Sequence, residues 1–113
     1  MIRSRSQATS SGDRFRKALA EAVNEGLLTL EPDARNMIRY YAENRRVKLE
    51  DVPEKIDIFC NILKAMMGAG GRVVEEATAR SLYSKLALEF TKRDNWRLTD
   101  HIENAKKLIS ERE

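Results

Sequence analysis

The chain has 113 residues, 42% of them hydrophobic and 35% charged, which is typical of one globular domain and not of a disordered or membrane-embedded chain. No run approaches the roughly 18 apolar residues of a membrane span, and the first residues lack the apolar centre of a secretion signal, so a cytoplasmic location is expected. The net charge of +3 comes mostly from Arg3 and Arg5, and the almost neutral remainder argues against a dedicated nucleic-acid-binding domain.

Residues 1–12, MIRSRSQATSSG, contain few large apolar groups and predict a flexible N-terminal tail. Residues 13–113 are predicted to form a helical domain. Its first helix begins at about Asp13, because apolar or small residues then recur every three or four positions. This stripe consists of Phe15, Leu19, Ala22, Gly26 and Leu30, with Val23 and Leu27 beside it. Leu28 lies outside the stripe.

A second helix is predicted from about Pro32 to Arg45. Proline fits the first turn of a helix, where its missing N–H is not needed. The apolar side of this helix is expected to hold Ala34, Met37, Ile38, Tyr41 and Ala42. Residues 47–52 predict a short connector of about one helical turn, because Pro53 disfavours helical geometry in the residue before it.

A third helix is predicted from about Glu54 to Met67. Ile58 and Ile62 broaden its apolar stripe until little polar surface is left, so this should be the most buried helix. A glycine-rich turn, Gly68 to Gly71, ends it.

Two further helices are predicted after that turn. Helix four runs from about Arg72 to Phe90, and residues 91–95 form a polar turn. Trp96 and Leu98 introduce helix five, with Thr99 as its N-terminal cap. Because no stretch alternates apolar and polar residues, the predicted fold is all-α. It is a single compact five-helix domain with helix three at its centre.

One histidine and one cysteine offer little material for chemistry. A zinc or iron site needs several ligands that converge at fixed spacing. A nucleophilic pair of Cys60 and His101 is conceivable, but it lacks any local catalytic signature. Cys60 is expected to be a small core residue and His101 a solvated residue in the first turn of helix five. The sequence therefore predicts no catalytic residue, no metal and no cofactor.

The turn formed by Gly68, Gly70 and Gly71 resembles an anion-binding loop only loosely. A helix N-terminus attracts negative charge, but a Walker loop needs Lys and Ser or Thr in order, and a dinucleotide loop follows a strand. The turn is interpreted as structural, with anion binding left open. Glu75 is interpreted as a cap that reaches back to the amides of this turn.

Basic residues along and after the second helix offer contacts to phosphates. They are Arg35, Arg39, Arg45, Arg46 and Lys48. Acidic residues lie among them, which favours a solvated face. A helix-turn-helix is disfavoured because Glu75 and Glu76 would repel phosphate at the start of helix four. Nucleic-acid binding by this basic face is therefore the alternative hypothesis.

Several short sequence words occur in a fixed order between about Val23 and Leu108. They are Leu30-Glu31, Ile38-Arg39-Tyr40-Tyr41, the run from Leu49 to Glu54, Phe59 and Leu63, Gly68 to Gly71 with Val74-Glu75, and the run from Leu82 to Leu86. In this order they resemble a small archaeal family of helical domains, the Nitrosopumilus output domain of the fifth type. Gly71 departs from the alanine expected there, and Met66-Met67 from an aromatic residue. The resemblance implies a cytoplasmic role in archaeal signalling outputs and carries over no catalytic residue.

We therefore predict a non-catalytic protein-interaction or regulatory output module that acts through a protein partner. A domain of this size leaves apolar surface uncovered, and such surface favours association. A homodimer is predicted through Leu28, Ile58 and Ile62, because a two-fold dimer is the commonest closed assembly.

Overall fold

The computed structural model describes residues 2–112, with side chains at all of these positions except 2–11, 49 and 50. Over this range the backbone is helical or irregular and forms no strand, which confirms the predicted all-α class. The backbone is helical from Ile2, so the predicted start of the first helix at about Asp13 is wrong. The flexibility predicted for residues 1–12 stays a prediction.

The helices are α1 (Ile2–Leu27), α2 (Pro32–Asn44), α3 (Ile56–Met67), α4 (Gly71–Lys85) and α5 (Leu98–Arg112). A 3₁₀ turn at Leu49–Glu54 links α2 to α3, and another at Gly68–Gly70 links α3 to α4. The predicted start of α2 and the predicted end of α3 are confirmed. Within the described range, no helix combines the length and apolar character that a membrane crossing requires.

The most extensive helix contact joins α1 to α4, and a glycine sets the distance between them. A side-chain carbon added at Gly26 would overlap Thr78 Oγ1 and would lie 3.1 Å from the carbonyl oxygen of Val74. Only glycine therefore fits at this crossing. The predicted stripe of helix one is buried along this contact, at Leu19, Ala22, Val23, Gly26 and Leu27.

The longest buried side belongs to α4, which packs against α1, α3 and α5. Its buried side chains are Val74, Glu75, Thr78, Ala79, Leu82 and Tyr83. Helix α3 buries Phe59, Cys60, Ile62 and Leu63. Ile58 of α3, in contrast, is 36% exposed. The predicted central position of helix three is therefore not confirmed.

Helix α4 ends at Lys85, not at the predicted Phe90. Ala87 adopts the left-handed φ of 57°, and the N–H of Leu88 donates to the carbonyl of Tyr83 at 2.8 Å. These are the features of a Schellman motif, which closes a helix C-terminus. Neither glycine nor proline occurs at this end in the sequence, so the apolar pattern predicted a helix that continues beyond its actual end.

The early end of α4 leaves residues 86–97 as an irregular segment between α4 and α5. Two arginines hold this segment in place. Arg112 Nη2 donates to the carbonyl of Leu86 at 3.1 Å, and Arg72 Nη2 donates to the carbonyl of Trp96 at 2.9 Å. Arg112 of α5 thus holds the first residue of this segment, and Arg72 of α4 holds a residue near its end.

Candidate functional site

Glu75 is a buried carboxylate that joins α4 to the start of α5. Its oxygens accept hydrogen bonds from Arg97 Nε at 2.9 Å, from Arg97 Nη2, and from the backbone N–H of Leu98 at 3.0 Å. Burial alone would raise the pKa of Glu75, but these hydrogen bonds outweigh it and hold the pKa below its usual value. The predicted cap on the glycine turn is therefore corrected, because Glu75 caps the next helix.

The first turn of α5 is closed without the predicted cap, Thr99. Because α5 begins at Leu98, Thr99 already lies inside the helix. The backbone N–H of Arg97 donates to Asp100 Oδ2 at 2.8 Å, which is the returning half of a capping box. The prediction for Thr99 is wrong, and Asp100 has this role together with the carboxylate from α4.

His101 is buried among aromatic rings, which corrects the prediction of a solvated residue. It is 5% exposed, and its ring centroid lies 5.0 Å from those of Phe90 and Trp96 and 6.0 Å from that of Tyr83. The Tyr83 hydroxyl donates to the His101 carbonyl at 2.7 Å. Burial lowers the pKa of His101, so the imidazole is neutral at neutral pH.

A cavity of about 270 Å³ opens beside the imidazole, between α4, residues 86–97 and the start of α5, and we call it the His101 pocket. Neither ring nitrogen of His101 has a hydrogen-bond partner among the described residues. The indole of Trp96 forms part of the wall. Its cationic wall residues are Arg72, Lys92 and Arg93, and its acidic ones are Glu75, Glu76 and Asp94.

Some charged side chains of this wall form ion pairs and others do not. Glu76 accepts a hydrogen bond from Arg80 at 3.1 Å and lies 3.5 Å from Lys92 Nζ. The hydrogen bond from Arg80 is the main cause that lowers the pKa of Glu76. Arg72 and Arg93, by contrast, form no ion pair with any carboxylate that the structure describes. Two of the three cations of the wall, Arg72 and Arg93, are therefore not held in an ion pair with a described residue.

The outer side of α2 leaves large apolar side chains in solvent. Met37, Tyr40 and Tyr41 are 51%, 62% and 39% exposed, and we call these three residues the α2 face. Their spacing of three and four residues places them on one side of the helix, whereas Ile38 and Ala42 are buried. The sequence grouped Met37 and Tyr41 with Ile38 and Ala42 on one apolar side, but only Ile38 and Ala42 of these four are buried.

Two of the three residues predicted at a homodimer interface are accessible. Leu28 is 62% exposed and Ile58 is 36% exposed. Ile62, however, is only 2% exposed and belongs to the hydrophobic core. The prediction that Ile62 lies in an interface is therefore wrong, because its side chain is buried inside the domain.

The basic residues predicted as nucleic-acid contacts lie on or directly after α2. Four of them are exposed and form no ion pair with a described carboxylate, and we call them the basic border: Arg39, Arg45, Arg46 and Lys48. Arg35 differs, since it is partly buried and its Nε has no hydrogen-bond partner among the described residues. The α2 face is thus flanked by cations that form no ion pair with a described carboxylate, although α2 also carries the exposed acids Asp33 and Glu43.

The glycine turn between α3 and α4 permits close packing of the two helices. Gly68 adopts a φ of 56° at the end of α3, and a side-chain carbon on Gly71 would lie 3.1 Å from the carbonyl oxygen of Leu63. Gly70 has no such close neighbour, since the nearest atom to its added carbon is 3.8 Å away, on Met67. The left-handed φ therefore favours glycine at residue 68, and the tight approach to the backbone of Leu63 favours it at residue 71.

Cys60 lies in the core and is 7% exposed. Burial raises the pKa of its thiol to about 12, so the sulfur is protonated at neutral pH and is a poor nucleophile. Within residues 12–48 and 51–112, no three His, Cys, Asp or Glu side chains lie together in a group suited to a metal ion.

Comparisons of the chain with protein-family models, with curated proteins and with solved structures find no match. The resemblance to the fifth-type Nitrosopumilus output domain therefore rests on its sequence words alone. Two surfaces of the molecule have features suited to binding, the α2 face with its basic border and the His101 pocket.

Proposed function

We propose that the chain is a non-catalytic protein-interaction or regulatory output module, built as one five-helix domain, and that the α2 face is its docking surface. The exposure of Met37, Tyr40 and Tyr41 carries this proposal. Burying such a side chain is worth about 1.5–3 kcal/mol, and adjacent exposed apolar groups are typical of interaction surfaces. A partner that covers the α2 face would recover that free energy.

Charge indicates the chemistry of the partner. The basic border lies beside the α2 face without described carboxylate partners, so a segment that carries Asp or Glu next to apolar side chains complements it. A second copy on the same face would bring like charges together. An acidic, amphipathic segment of another protein is therefore the favoured occupant.

The remaining parts of the proposal have separate support. The protonated, buried thiol of Cys60 supports a role without nucleophilic catalysis. The family resemblance supports a place in archaeal signalling and a cytoplasmic location. We expect a Cys60→Ser variant to keep full partner binding.

The test uses a labelled peptide with Leu and Phe at helical spacing and Glu elsewhere, compared with the same peptide carrying Lys for Glu. Fluorescence anisotropy should show binding of the acidic peptide only. The double variant Met37→Gln/Tyr40→Ser should weaken binding at least about tenfold, which is about 1.4 kcal/mol. Val73→Gln is the matched control, because Val73 is 61% exposed on α4 and should leave binding unchanged.

The alternative function, nucleic-acid binding, is a second outcome of this experiment. It is favoured by the unpaired cations of the basic border. Single-stranded and duplex DNA are titrated at two salt concentrations, because phosphate-driven binding weakens steeply as salt rises. DNA binding that is lost in Arg39→Glu and Arg46→Glu, without binding of the acidic peptide, would overturn the protein-partner proposal.

A homodimer through Leu28 and Ile58 is also a proposal, supported by the exposure of both side chains. Sedimentation equilibrium should then give a mass above 13.0 kDa that rises with concentration. Leu28→Lys should restore the monomer while circular dichroism shows unchanged helicity. A constant mass of 13.0 kDa at tens of micromolar would remove the homodimer without affecting the α2 face.

A further inference from the structure

We propose that the His101 pocket binds a small anion, with a carboxylate or phosphate group held by the imidazole and by Arg72 and Arg93. This inference goes beyond the proposed function and does not depend on it, because the pocket and the α2 face share no residue. A volume of about 270 Å³ lies at the small end of ligand sites, which favours a small anion over a nucleotide.

The imidazole of His101 is the first observation that points to a ligand. It is a polar side chain that is only 5% exposed, lines the pocket and makes no hydrogen bond to a described residue. The ring nitrogens are not among the fully buried atoms that lack a partner, so they are accessible from the pocket, where a polar group is ordinarily hydrogen-bonded to water or to a ligand. Because burial keeps the ring neutral, it presents one N–H donor, and an oxyanion in the cavity would accept it.

The cations of the wall are the second observation. Arg72 Nη2 donates to the carbonyls of Asp94 and Trp96, at 3.3 and 2.9 Å, which fixes the guanidinium at the wall without neutralising its charge. Arg93 lies over the indole of Trp96, 4.7 Å from the ring centroid, and is held there without an ion pair to a described carboxylate. Guanidinium groups held in this way bind carboxylate and phosphate with two hydrogen bonds.

The acidic side chains of the wall do not cancel this charge. Glu75 is engaged by Arg97, and Glu76 by Arg80 and Lys92, so both carboxylates already have partners. The pKa values of both carboxylates are lowered. Burial would raise the pKa of Glu75, but the hydrogen bonds that it accepts outweigh burial. The hydrogen bond from Arg80 is the main cause that lowers the pKa of Glu76. Asp94 is the remaining wall acid. The pocket therefore favours an anion over a cation.

The chain offers two reporters at this pocket, because His101 is its only histidine and Trp96 its only tryptophan. Purified protein is titrated with sodium phosphate, with sodium acetate and succinate, and with sodium chloride at matched ionic strength. Tryptophan fluorescence and the proton NMR signals of the imidazole are recorded. We expect saturation at millimolar concentrations with phosphate or with the carboxylates, and a linear response to chloride. The arm that saturates identifies which of the two groups the pocket prefers.

Variants locate the binding. Arg93→Gln and His101→Gln should each weaken binding about tenfold, which corresponds to loss of one charge-assisted or buried hydrogen bond. Arg45→Gln is the matched control, since it removes a cation of the basic border. Arg72→Gln also removes the hydrogen bonds that hold residues 86–97, so the helicity of this variant is checked first. If Arg72→Gln unfolds, the result with Arg93→Gln decides the test.

Binding should also change the titration of the imidazole. The charged groups that act on His101 are Asp100, Arg93 and Glu76, besides burial. A bound anion adds negative charge, so the NMR midpoint of His101 should move to higher pH in the saturating anion than in chloride. Lack of saturation with every anion, or equal weakening in Arg45→Gln and Arg93→Gln, would overturn the proposal.

Discussion

Helices α2 and α4 end in the same way but are covered very differently. Arg46 after α2 and Ala87 after α4 both adopt a left-handed φ, 60° and 57°, and in each case the next N–H donates at 2.8 Å to the carbonyl five residues earlier. Helix α4 is packed against α1, α3 and α5, whereas α2 keeps the α2 face in solvent. The local backbone motif thus decides where a helix ends, and the neighbouring helices decide which residues are buried.

Glycines in or beside α4 account for much of this difference. Gly26 lets α1 approach the backbone at Val74, and Gly71 lets α4 touch the carbonyl of Leu63. Helix α2 contains no glycine. Close backbone contact on two sides makes α4 the element against which α1, α3 and α5 pack, whereas α2 packs against α3.

Gly26→Ala should cause a large loss of stability, because it separates α1 from α4. The added carbon overlaps Thr78 Oγ1 and crowds the backbone of Val74, and overpacking of this kind costs about 3 kcal/mol. Urea denaturation followed by circular dichroism measures the change in the free energy of unfolding.

Gly12→Ala is the matched control for that variant, since nothing lies within 4 Å of the added carbon. It should leave the free energy of unfolding unchanged or raise it by up to about 1 kcal/mol, because alanine favours a helix. A Gly26→Ala protein as stable as Gly12→Ala would contradict the role given to the α1–α4 contact.

Glu75→Gln should lower the free energy of unfolding by about 2 kcal/mol, because it removes a charged acceptor that serves both Arg97 and the amide of Leu98. Glu76→Gln is the control at the next position. Its carboxylate pairs with exposed Arg80 and Lys92, and exposed ion pairs contribute less than about 1 kcal/mol. Similar losses in the two variants would show that burial of Glu75 does not matter.

The pH dependence of stability provides a second measurement on Glu75. Its pKa is lowered in the folded state, so its contribution is full above the unfolded value of about 4.3 and is lost as the pH falls through the folded value. The difference in unfolding free energy between the native chain and Glu75→Gln should therefore be largest near neutral pH and should shrink in acid. A difference that grows in acid would contradict this assignment.

The helices and most of their bounds could be predicted from the sequence, because they depend on local patterns. The stripe of α1, the proline at the start of α2 and the glycines after α3 each act within a few residues. The end of α4 could not be predicted, because Ala87 takes the left-handed position that glycine usually marks.

The candidate sites depend on contacts between distant residues, and the sequence indicated them only in part. The burial of His101 needs Tyr83 from α4 together with Phe90 and Trp96 from residues 86–97, and no spacing rule brings these rings together. Arg39, Arg45, Arg46 and Lys48 are exposed, as expected for a solvated face, whereas Arg35 is partly buried. The exposure of Met37 and Tyr41 was not predicted, because an apolar pattern does not say how many sides of a helix are covered.

Arg46→Gly and Ala87→Gly should each raise the free energy of unfolding by up to about 1 kcal/mol. Glycine relieves the strain of a left-handed φ at both positions, and the greater freedom of glycine in the unfolded chain offsets part of that gain. Ala65→Gly, at an exposed position inside α3, is the control and should lose about 1 kcal/mol. Thermal unfolding separates the three, and unequal gains after α2 and α4 would show that the two helix ends differ.

Met37→Ala should have the smallest effect on stability, at most about 0.5 kcal/mol, because the side chain is 51% exposed and touches little that folding buries. Its neighbour Ile38 is 1% exposed, and Ile38→Ala should cost about 2–5 kcal/mol through the cavity it leaves. The two substitutions remove apolar groups from adjacent positions of one helix, so helix propensity and position are matched. The difference between their unfolding free energies therefore measures how completely α2 is covered on each side.

The same pair of variants separates stability from binding. Met37→Ala should weaken binding of the acidic peptide while the fold stays intact, whereas Ile38→Ala should weaken it only as far as the domain unfolds. If Met37→Ala costs as much stability as Ile38→Ala, then Met37 is buried in solution and the α2 face is not a free surface. If it costs neither stability nor binding, the docking surface lies elsewhere on the molecule, and the exposed side chains of Leu28 and Val73 become the next positions to substitute.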